Sequence, residues 1–215
     1  MGARSLILVL SRHRSGDSDL IARIYSRFGV LRLLVRDGLE PSGRFHGVFE
    51  PFNMMTLDFF QRGEVVIPRD FKELRRYSLL SADYERFIWM SHVCRFVIYN
   101  VPFYEPLFFK KVIDFLLTDP SGRLEVLRIK LRLEFIKSAG ISPIFLGQKI
   151  PRGKVRVRLS DGSLSDEGEV EISSGTLRLL KRLSEEKLGK NLRVNGKTVR
   201  EAEHLLDSII SYHMR

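Results

Sequence analysis

The segment from residue 16 to residue 36, GDSDLIARIYSRFGVLRLLVR, decides how the first part of the chain folds. Its second half, Val30 to Val35, is apolar, β-compatible and preceded by a Phe-Gly turn, which predicts a β-strand. Side chains alternate along a strand, so Arg32 and Arg36 lie on the same side, roughly 13 Å apart. The segment therefore predicts a sheet that carries two arginines on one face.

Further short strands flank this segment. Ser5 to Leu10 is an apolar run, and residues 52–60 with 65–67 indicate a hairpin around a turn at 61–64. About five or six short strands within roughly 70 residues predict a small barrel or sandwich rather than a βαβ unit. Residues 37–47, DGLEPSGRFHG, are rich in glycine and predict a mobile loop.

The composition changes near residue 72, where apolar residues begin to recur with helical spacing. The pattern predicts helices at residues 72–99, 103–117, 122–139, 173–183 and 198–212. Strict alternation at 154–159, resumed at 170–172, predicts a small β-hairpin among these helices. We therefore predict an α+β fold with a β-rich domain at residues 1–72 and a mainly helical domain at 73–215, which carries the hairpin near 154–172.

The composition is that of a folded protein with an excess of positive charge. The 215 residues are 44% hydrophobic, with a formal net charge of +10 and a pI of about 9.9. Such an apolar content excludes disorder, and the single cysteine excludes a disulfide framework or a cysteine-based zinc site within one chain. We find no secretory signal and no apolar run of the ~20 residues that a membrane helix needs. We expect a cytoplasmic protein with no membrane association and no bound metal.

The sequence lacks the spacing of known catalytic and cofactor sites. It has no Gly-x-Ser-x-Gly, and its five histidines form no His-x-x-x-His pair. Gly196-Lys197-Thr198 resembles the end of a phosphate-binding loop, but Asn191 stands where that loop needs its first glycine. We therefore expect no enzymatic activity and no cofactor.

Basic residues give the strongest functional signal. The ten basic residues before Lys72 are all arginines, and guanidinium groups make forked contacts with phosphate. Proteins that bind single-stranded nucleic acid combine a cationic groove with aromatic platforms on a small barrel. Near strand ends and turns, the predicted nucleic-acid-binding residues are Arg12, Arg14, Arg32, Arg36, Arg44 and Arg62, with Phe45 and His46 as stacking candidates.

Other basic residues join this set on charge grounds alone, namely Arg75, Arg76 and the basic residues from Arg152 to Arg158. The whole assignment requires guanidinium groups that are not already engaged by acidic side chains, because an ion pair within the protein competes with phosphate. No catalytic or metal-binding residue is predicted.

An ordered series of short motifs resembles the RecO family of bacterial recombination mediators. The series consists of residues 16–20 (GDSDL), 25–32 (YSRFGVLR), 43–45 (GRF), 48–52 (VFEPF) and 57–60 (LDFF). Later segments resemble the helices and turns of the same family, namely 139–143 (AGISP), 173–183 and 209–213. Together they cover most of the chain in a consistent order.

The resemblance implies an N-terminal OB-fold followed by a helical domain, in a protein that is not an enzyme. It implies binding to single- and double-stranded DNA and annealing of complementary strands. It also implies a RecR-like partner and help in loading recombinase onto DNA coated by single-strand-binding protein.

The resemblance also assigns individual positions. The family's DNA-contacting residues, on the strand after a first helix and in the loop beyond it, correspond to Arg32, Arg36 and Arg44. Asp19 is then interpreted as the cap of that first helix. Many members carry a four-cysteine zinc module in the helical domain. Here the hairpin near residues 154–172 takes its place, so we expect no zinc.

Two alternatives stay open at this stage. A protein-only adaptor would use the aromatic helices to dock another protein, and its basic face would be incidental. An RNA-binding OB-fold module would use the same basic face on a different nucleic acid. Retention on DNA resin at low salt tests the first, and competition between DNA and RNA of one sequence tests the second.

Overall fold

The computed structural model describes residues 2–62, 65–101, 103–141, 143–185 and 194–214. The chain divides into two compact units, one ending at Thr118 and the other beginning at Asp119. The predicted domain boundary at residue 72 lies within the fifth strand of the first unit, and two of the predicted helices belong to this unit with the barrel.

The first unit begins with a closed five-stranded barrel. Its strands are β1 (Gly2–Ser15), β2 (Asp19–Ser26), β3 (Gly29–Val35), β4 (Met54–Arg62) and β5 (Val65–Arg75). They are arranged in the order β1-β2-β3-β5-β4, with β3 and β5 parallel and the other pairs antiparallel. This small Greek-key barrel confirms the predicted OB-fold.

Alternating apolar side chains fill the barrel. Leu20, Ala22 and Ile24 of β2 point inward together with Leu33 and Val35 of β3. A period of two is a strand pattern, and this strand, β2, pairs with β1 on one side and with β3 on the other. The helix that we expected after residue 19 is therefore wrong.

Asp19 has a different role from the predicted helix cap. Its Oδ1 accepts a hydrogen bond from the backbone N–H of Asp37 at 2.9 Å. This contact joins the start of β2 to the turn that follows β3. The segment at 37–47 contains no helix or strand and forms consecutive turns, with hydrogen bonds from Glu40 to Asp37, Gly43 to Glu40 and His46 to Gly43.

Two helices complete the first unit. After a 3₁₀ turn at Tyr77–Ala82, α1 spans Tyr84–Asn100 and α2 spans Pro106–Leu117. The helix predicted from residue 72 begins only at α1, because β5 continues to Arg75 and Asp83 caps α1 by accepting the N–H of Arg86 at 2.9 Å. The proline at position 102, which follows the predicted helix, lies outside the described residues.

The second unit is mainly helical. It contains α3 (Leu124–Ser138), the antiparallel hairpin of β6 (Lys154–Val157) and β7 (Val170–Ser173), α4 (Ser174–Glu185) and α5 (Gly196–His213). The hairpin confirms the insertion predicted near residues 154–172. The predicted turn at 61–64 lies partly outside the described residues, and its first two positions belong to β4.

Buried polar groups fix the second unit. Arg132 on α3 donates to Asp207 on α5 at 2.7 Å. Glu201 on α5 accepts hydrogen bonds from the Oγ atoms of Ser173 and Thr176. Burial raises the pKa of Glu201, but these hydrogen bonds outweigh it and hold the pKa below its ordinary value.

Among the residues that the structure describes, no helix is both long enough and apolar enough to cross a bilayer.

Candidate nucleic-acid interface

Two exposed arginines lie directly opposite each other on the outside of the barrel. The pairing of β2 with β3 places Arg23 against Arg32, and the pairing of β1 with β2 places Ser11 against Arg23. Directly paired residues of an antiparallel sheet share a face, with Cβ atoms ~5 Å apart. Ser11, Arg23 and Arg32 therefore form one row across three strands, which we call the arginine row.

Arg23 is the residue that sequence analysis missed. The loop between β2 and β3 pairs Ser26 with Gly29, and Gly29 adopts a φ of 82°, which glycine tolerates without a Cβ clash. Counting outward from this pair places Arg23 opposite Arg32. The signal was present in the sequence, but it required residues 19–26 to be recognised as a strand.

The arginine row has no acidic counterpart among the described residues. Neither Arg23 nor Arg32 forms an ion pair or a side-chain hydrogen bond with any side chain that the structure describes, and both are exposed. Like charges placed directly opposite each other in a sheet repel and destabilise it. Arg36, also exposed, follows directly after the end of β3 and adds a third cation near the row. The row therefore presents positive charge that an external anion can neutralise.

Arg12 and Arg14 of β1 do not belong to this row, and both have partners within the protein. The register of β1 with β2 shifts between Val9 and Ser11, which turns Ser11 outward and pairs Arg12 with Ala22 of the core. Arg12 forms an ion pair with Glu50 at 2.9 Å. Arg14 folds onto its own turn, donating to the carbonyl oxygens of Gly16 and Asp17 at 2.9 and 3.0 Å.

Arg44 lies on a different face of the barrel. Arg4 of β1, Asp58 of β4 and Asp70 of β5 form a second row across the sheet, which we call the paired row. Arg4 donates two hydrogen bonds to Asp58, at 2.5 and 2.7 Å, and Arg44 donates one to Asp70 at 2.5 Å. These four side chains line a cleft, and Arg69 lines it with them.

The charges of the paired row stabilise each other. The hydrogen bond from Arg4 lowers the pKa of the Asp58 carboxyl below its usual range and raises the pKa of the Arg4 guanidinium. Two opposed carboxylates are thus neutralised within the protein. Arg12, Arg14 and Arg44 all have partners in the protein, so their assignment to nucleic-acid binding stays a prediction with a competing role.

The remaining candidates are dispersed. Phe45 is not an exposed stacking residue, because it packs against the barrel core with ring centroids 5.7 Å from Phe49 and 6.2 Å from Phe71. His46 is exposed in the same loop. Arg75 is the last residue of β5 and Arg76 follows it, and both are exposed. The side chain of Arg62 lies outside the described residues.

The basic hairpin residues of the second unit are largely engaged. Lys154 forms an ion pair with Glu171 at 2.6 Å, and Arg156 donates to the carbonyl of Asp166 at 3.4 Å. Arg152 is exposed. In the part of the chain that the structure describes, no three His, Cys, Asp or Glu side chains are grouped so that they could hold a metal ion.

Comparisons with known proteins add to this geometry. A family model described as "Recombination protein O C terminal" matches residues 81–215, which include all five helices named above. A protein of Aquifex aeolicus (strain VF5), described only as uncharacterized, is 31% identical over 211 residues. That alignment covers 98% of this chain and 99% of the relative, so it extends through the barrel as well.

Proposed function

The chain belongs to the RecO family of recombination proteins, and we propose that it serves DNA recombination and repair by binding DNA on the arginine row. The family assigns the general role in recombination and repair. The proposal adds the interface and the mechanism, which is binding alone, with no bond made or broken.

The observation that carries the proposal is the opposition of Arg23 and Arg32. Two exposed guanidinium groups face each other across β2 and β3 without an acidic partner among the described residues. A sheet that keeps such a pair bears an electrostatic cost, which a bound phosphate removes. The face of strands 2 and 3 is also where OB-folds bind oligonucleotides.

The mechanism follows from phosphate neutralisation. Each arginine that contacts a phosphate releases condensed counterions, so binding gains free energy that declines as salt rises. A strand whose charge is partly neutralised repels a complementary strand less, and the two pair more readily. We therefore propose that the protein binds single- and double-stranded DNA and promotes annealing.

The proposal extends to protein partners. Family membership indicates partners among recombination proteins in general, and we propose a RecR-like protein and single-strand-binding protein as the specific ones. With them, the DNA held on the barrel would be delivered to recombinase.

Charge reversal of the arginine row tests the proposal. In Arg23→Glu/Arg32→Glu, we expect the affinity for a fluorescein-labelled single strand, measured by anisotropy, to fall at least about tenfold. The slope of log K against log salt should shrink by about 1.4, or ~0.7 for each phosphate that the variant no longer neutralises. The annealing rate of complementary oligonucleotides should fall in parallel.

The control is Arg178→Glu/Arg200→Glu, which makes the same change in net charge at two exposed arginines of the second unit. It should retain most of the affinity and the slope. Equal losses in both variants would show a general charge effect and overturn the interface. Absence of DNA binding by the wild-type protein at low salt would favour the adaptor, and stronger binding to RNA of the same sequence would favour the RNA module.

A further inference from the structure

A groove runs along the outside of the barrel beside α1, within the first compact unit. Ser11, Arg12 and Arg23 line its barrel side, and Phe87, Arg95 and Tyr99 line its helix side. Arg12 is paired with Glu50, so Arg23 is the barrel cation without a described acidic partner. Arg95 and Tyr99 are four residues apart on α1, so their side chains are neighbours on the helix surface. The groove thus combines cations from both walls with aromatic rings along one.

The groove is continuous with the arginine row. Ser11 is the β1 member of that row, next to Arg23 in the register, and both residues also line the groove. The row crosses three strands, or about 10 Å at ~4.8 Å between strands. A phosphodiester chain that contacts Arg32 and then Arg23 therefore reaches the groove.

The helix wall presents its rings to solvent. Tyr99 is 75% exposed and Phe87 is 45% exposed. Their positions are separated by about 18 Å along the axis, at ~1.5 Å per residue. Exposed aromatic rings beside a cationic track are the features with which proteins stack the bases of single strands.

The floor of the groove is fixed before any ligand arrives. Phe52, which is buried, adopts a φ of 74° and packs edge-on against Phe87 with centroids 6.2 Å apart. Its backbone N–H donates to the carbonyl of Val9, and the N–H of Val9 donates to the carbonyl of Asn53, each at 2.8 Å. A bulky residue in the left-handed region is strained, and such strain clusters at ligand clamps.

We infer that this groove is a base-stacking site for single-stranded DNA, in which Tyr99 stacks on a base and Arg95 contacts the neighbouring phosphate. The inference rests on the proposed function and deepens it, because duplex DNA keeps its bases stacked on each other and cannot use the groove. The site therefore gives a preference for single strands over duplex. An acidic peptide would also suit cations beside aromatic rings, but the continuity with the arginine row favours DNA.

The test compares two tyrosines of one helix. Tyr99→Ala removes the stacking ring, and Tyr84→Ala is the matched control, since Tyr84 lies on the same helix, is 78% exposed and does not line the groove. The probes are a labelled oligothymidylate and an abasic oligomer of equal length and charge. Tyr99→Ala should weaken oligothymidylate binding at least about fivefold, as expected for one stacked base.

The same variant should bind the abasic oligomer and duplex DNA like the wild-type protein. Tyr99→Phe keeps the ring and should restore oligothymidylate binding, while Tyr84→Ala should change nothing. If Tyr99→Ala lost affinity equally for both oligomers, or lost none for either, the groove assignment would be overturned.

The two proposals fail in distinguishable ways. If Arg23→Glu/Arg32→Glu weakens binding to all DNA probes but Tyr99→Ala does not weaken oligothymidylate binding, the groove fails and the proposed function stands. If the wild-type protein binds neither oligomer, the proposed function fails. If Tyr99→Ala instead abolishes binding of a labelled peptide of alternating Asp and Phe and leaves DNA binding intact, the groove is a peptide site and the inference is wrong.

Discussion

The barrel carries two rows of charge that differ in how the charge is balanced. In the paired row, Asp58 and Asp70 oppose each other, and Arg4 and Arg44 neutralise them. In the arginine row, Arg23 and Arg32 oppose each other, and no described acidic side chain contacts them. Both rows contain a like-charged pair, so the difference is whether the protein or an external ligand supplies the counter-charge.

The comparison shows why counting arginines does not locate a binding surface. Arg44 and Arg32 are both exposed residues of the same basic barrel, yet only Arg44 is held by a carboxylate. An ion pair within the protein must be broken or shared before that arginine can contact a phosphate. We expect the free energy of DNA binding to follow unpaired cations rather than total charge.

Removing the acids of the paired row should convert it into a second DNA-binding face. Asp58→Asn/Asp70→Asn leaves the neighbouring arginines without their partners, and each one freed can contact a phosphate. We expect the affinity for single-stranded DNA to rise about threefold to tenfold and the salt slope to grow by ~0.7 per additional phosphate neutralised. Anisotropy titrations over a range of salt measure both quantities.

The control removes two exposed acids elsewhere, in Asp114→Asn/Glu125→Gln, with the same change in net charge. It should raise the affinity much less. If both variants gain equally, only the overall field matters, and the contrast between the two rows has no functional meaning.

The sequence was sufficient to predict most of the barrel, but not the row that distinguishes its faces. The apolar run at 5–10 and the apolar run at 30–35 after a Phe-Gly turn correctly predicted β1 and β3. A helix was expected after Asp19 because of a family resemblance, although Leu20, Ala22 and Ile24 alternate as in a strand. That error concealed Arg23, whose place follows from the turn once β2 is recognised.

Other features could not be obtained from local patterns. The bulge between Val9 and Ser11 shifts the register so that Ser11 pairs with Arg23, and an irregular position of this kind leaves no clear mark on periodicity. The ion pair of Arg44 with Asp70 joins residues far apart in the chain, and the packing of Phe45, in a loop, depends on Phe71 of β5. These interactions depend on barrel closure, which brings distant segments together.

Replacing an arginine of the arginine row by lysine should change DNA affinity less than removing the acids of the paired row. Arg32→Lys keeps the charge opposite Arg23 but removes the planar fork that binds two phosphate oxygens at once. We expect the affinity for single-stranded DNA to fall about twofold to threefold while the salt slope stays constant, because the number of phosphates neutralised is unchanged. The matched control, Arg44→Lys, should leave DNA affinity unchanged. A lower slope in Arg32→Lys would show that the lysine does not neutralise the phosphate at all.

The smallest expected effect is a difference between the two rows in how their variants change the pH dependence of stability. The hydrogen bond from Arg4 holds the pKa of Asp58 below the value of about 3.9 expected for the unfolded chain, so the pair stabilises the fold above that pH. The contribution is lost as pH falls through the folded-state pKa, and it is small because Arg4 is exposed to solvent and Asp58 is only partly buried. In urea unfolding between about pH 3 and pH 7, Asp58→Asn should show a weaker pH dependence than the wild-type protein. Arg23→Gln should show the same pH dependence of stability as the wild-type protein, since no described carboxylate pairs with Arg23. A weaker pH dependence in that variant would mean that a carboxylate of the protein also neutralises the arginine row.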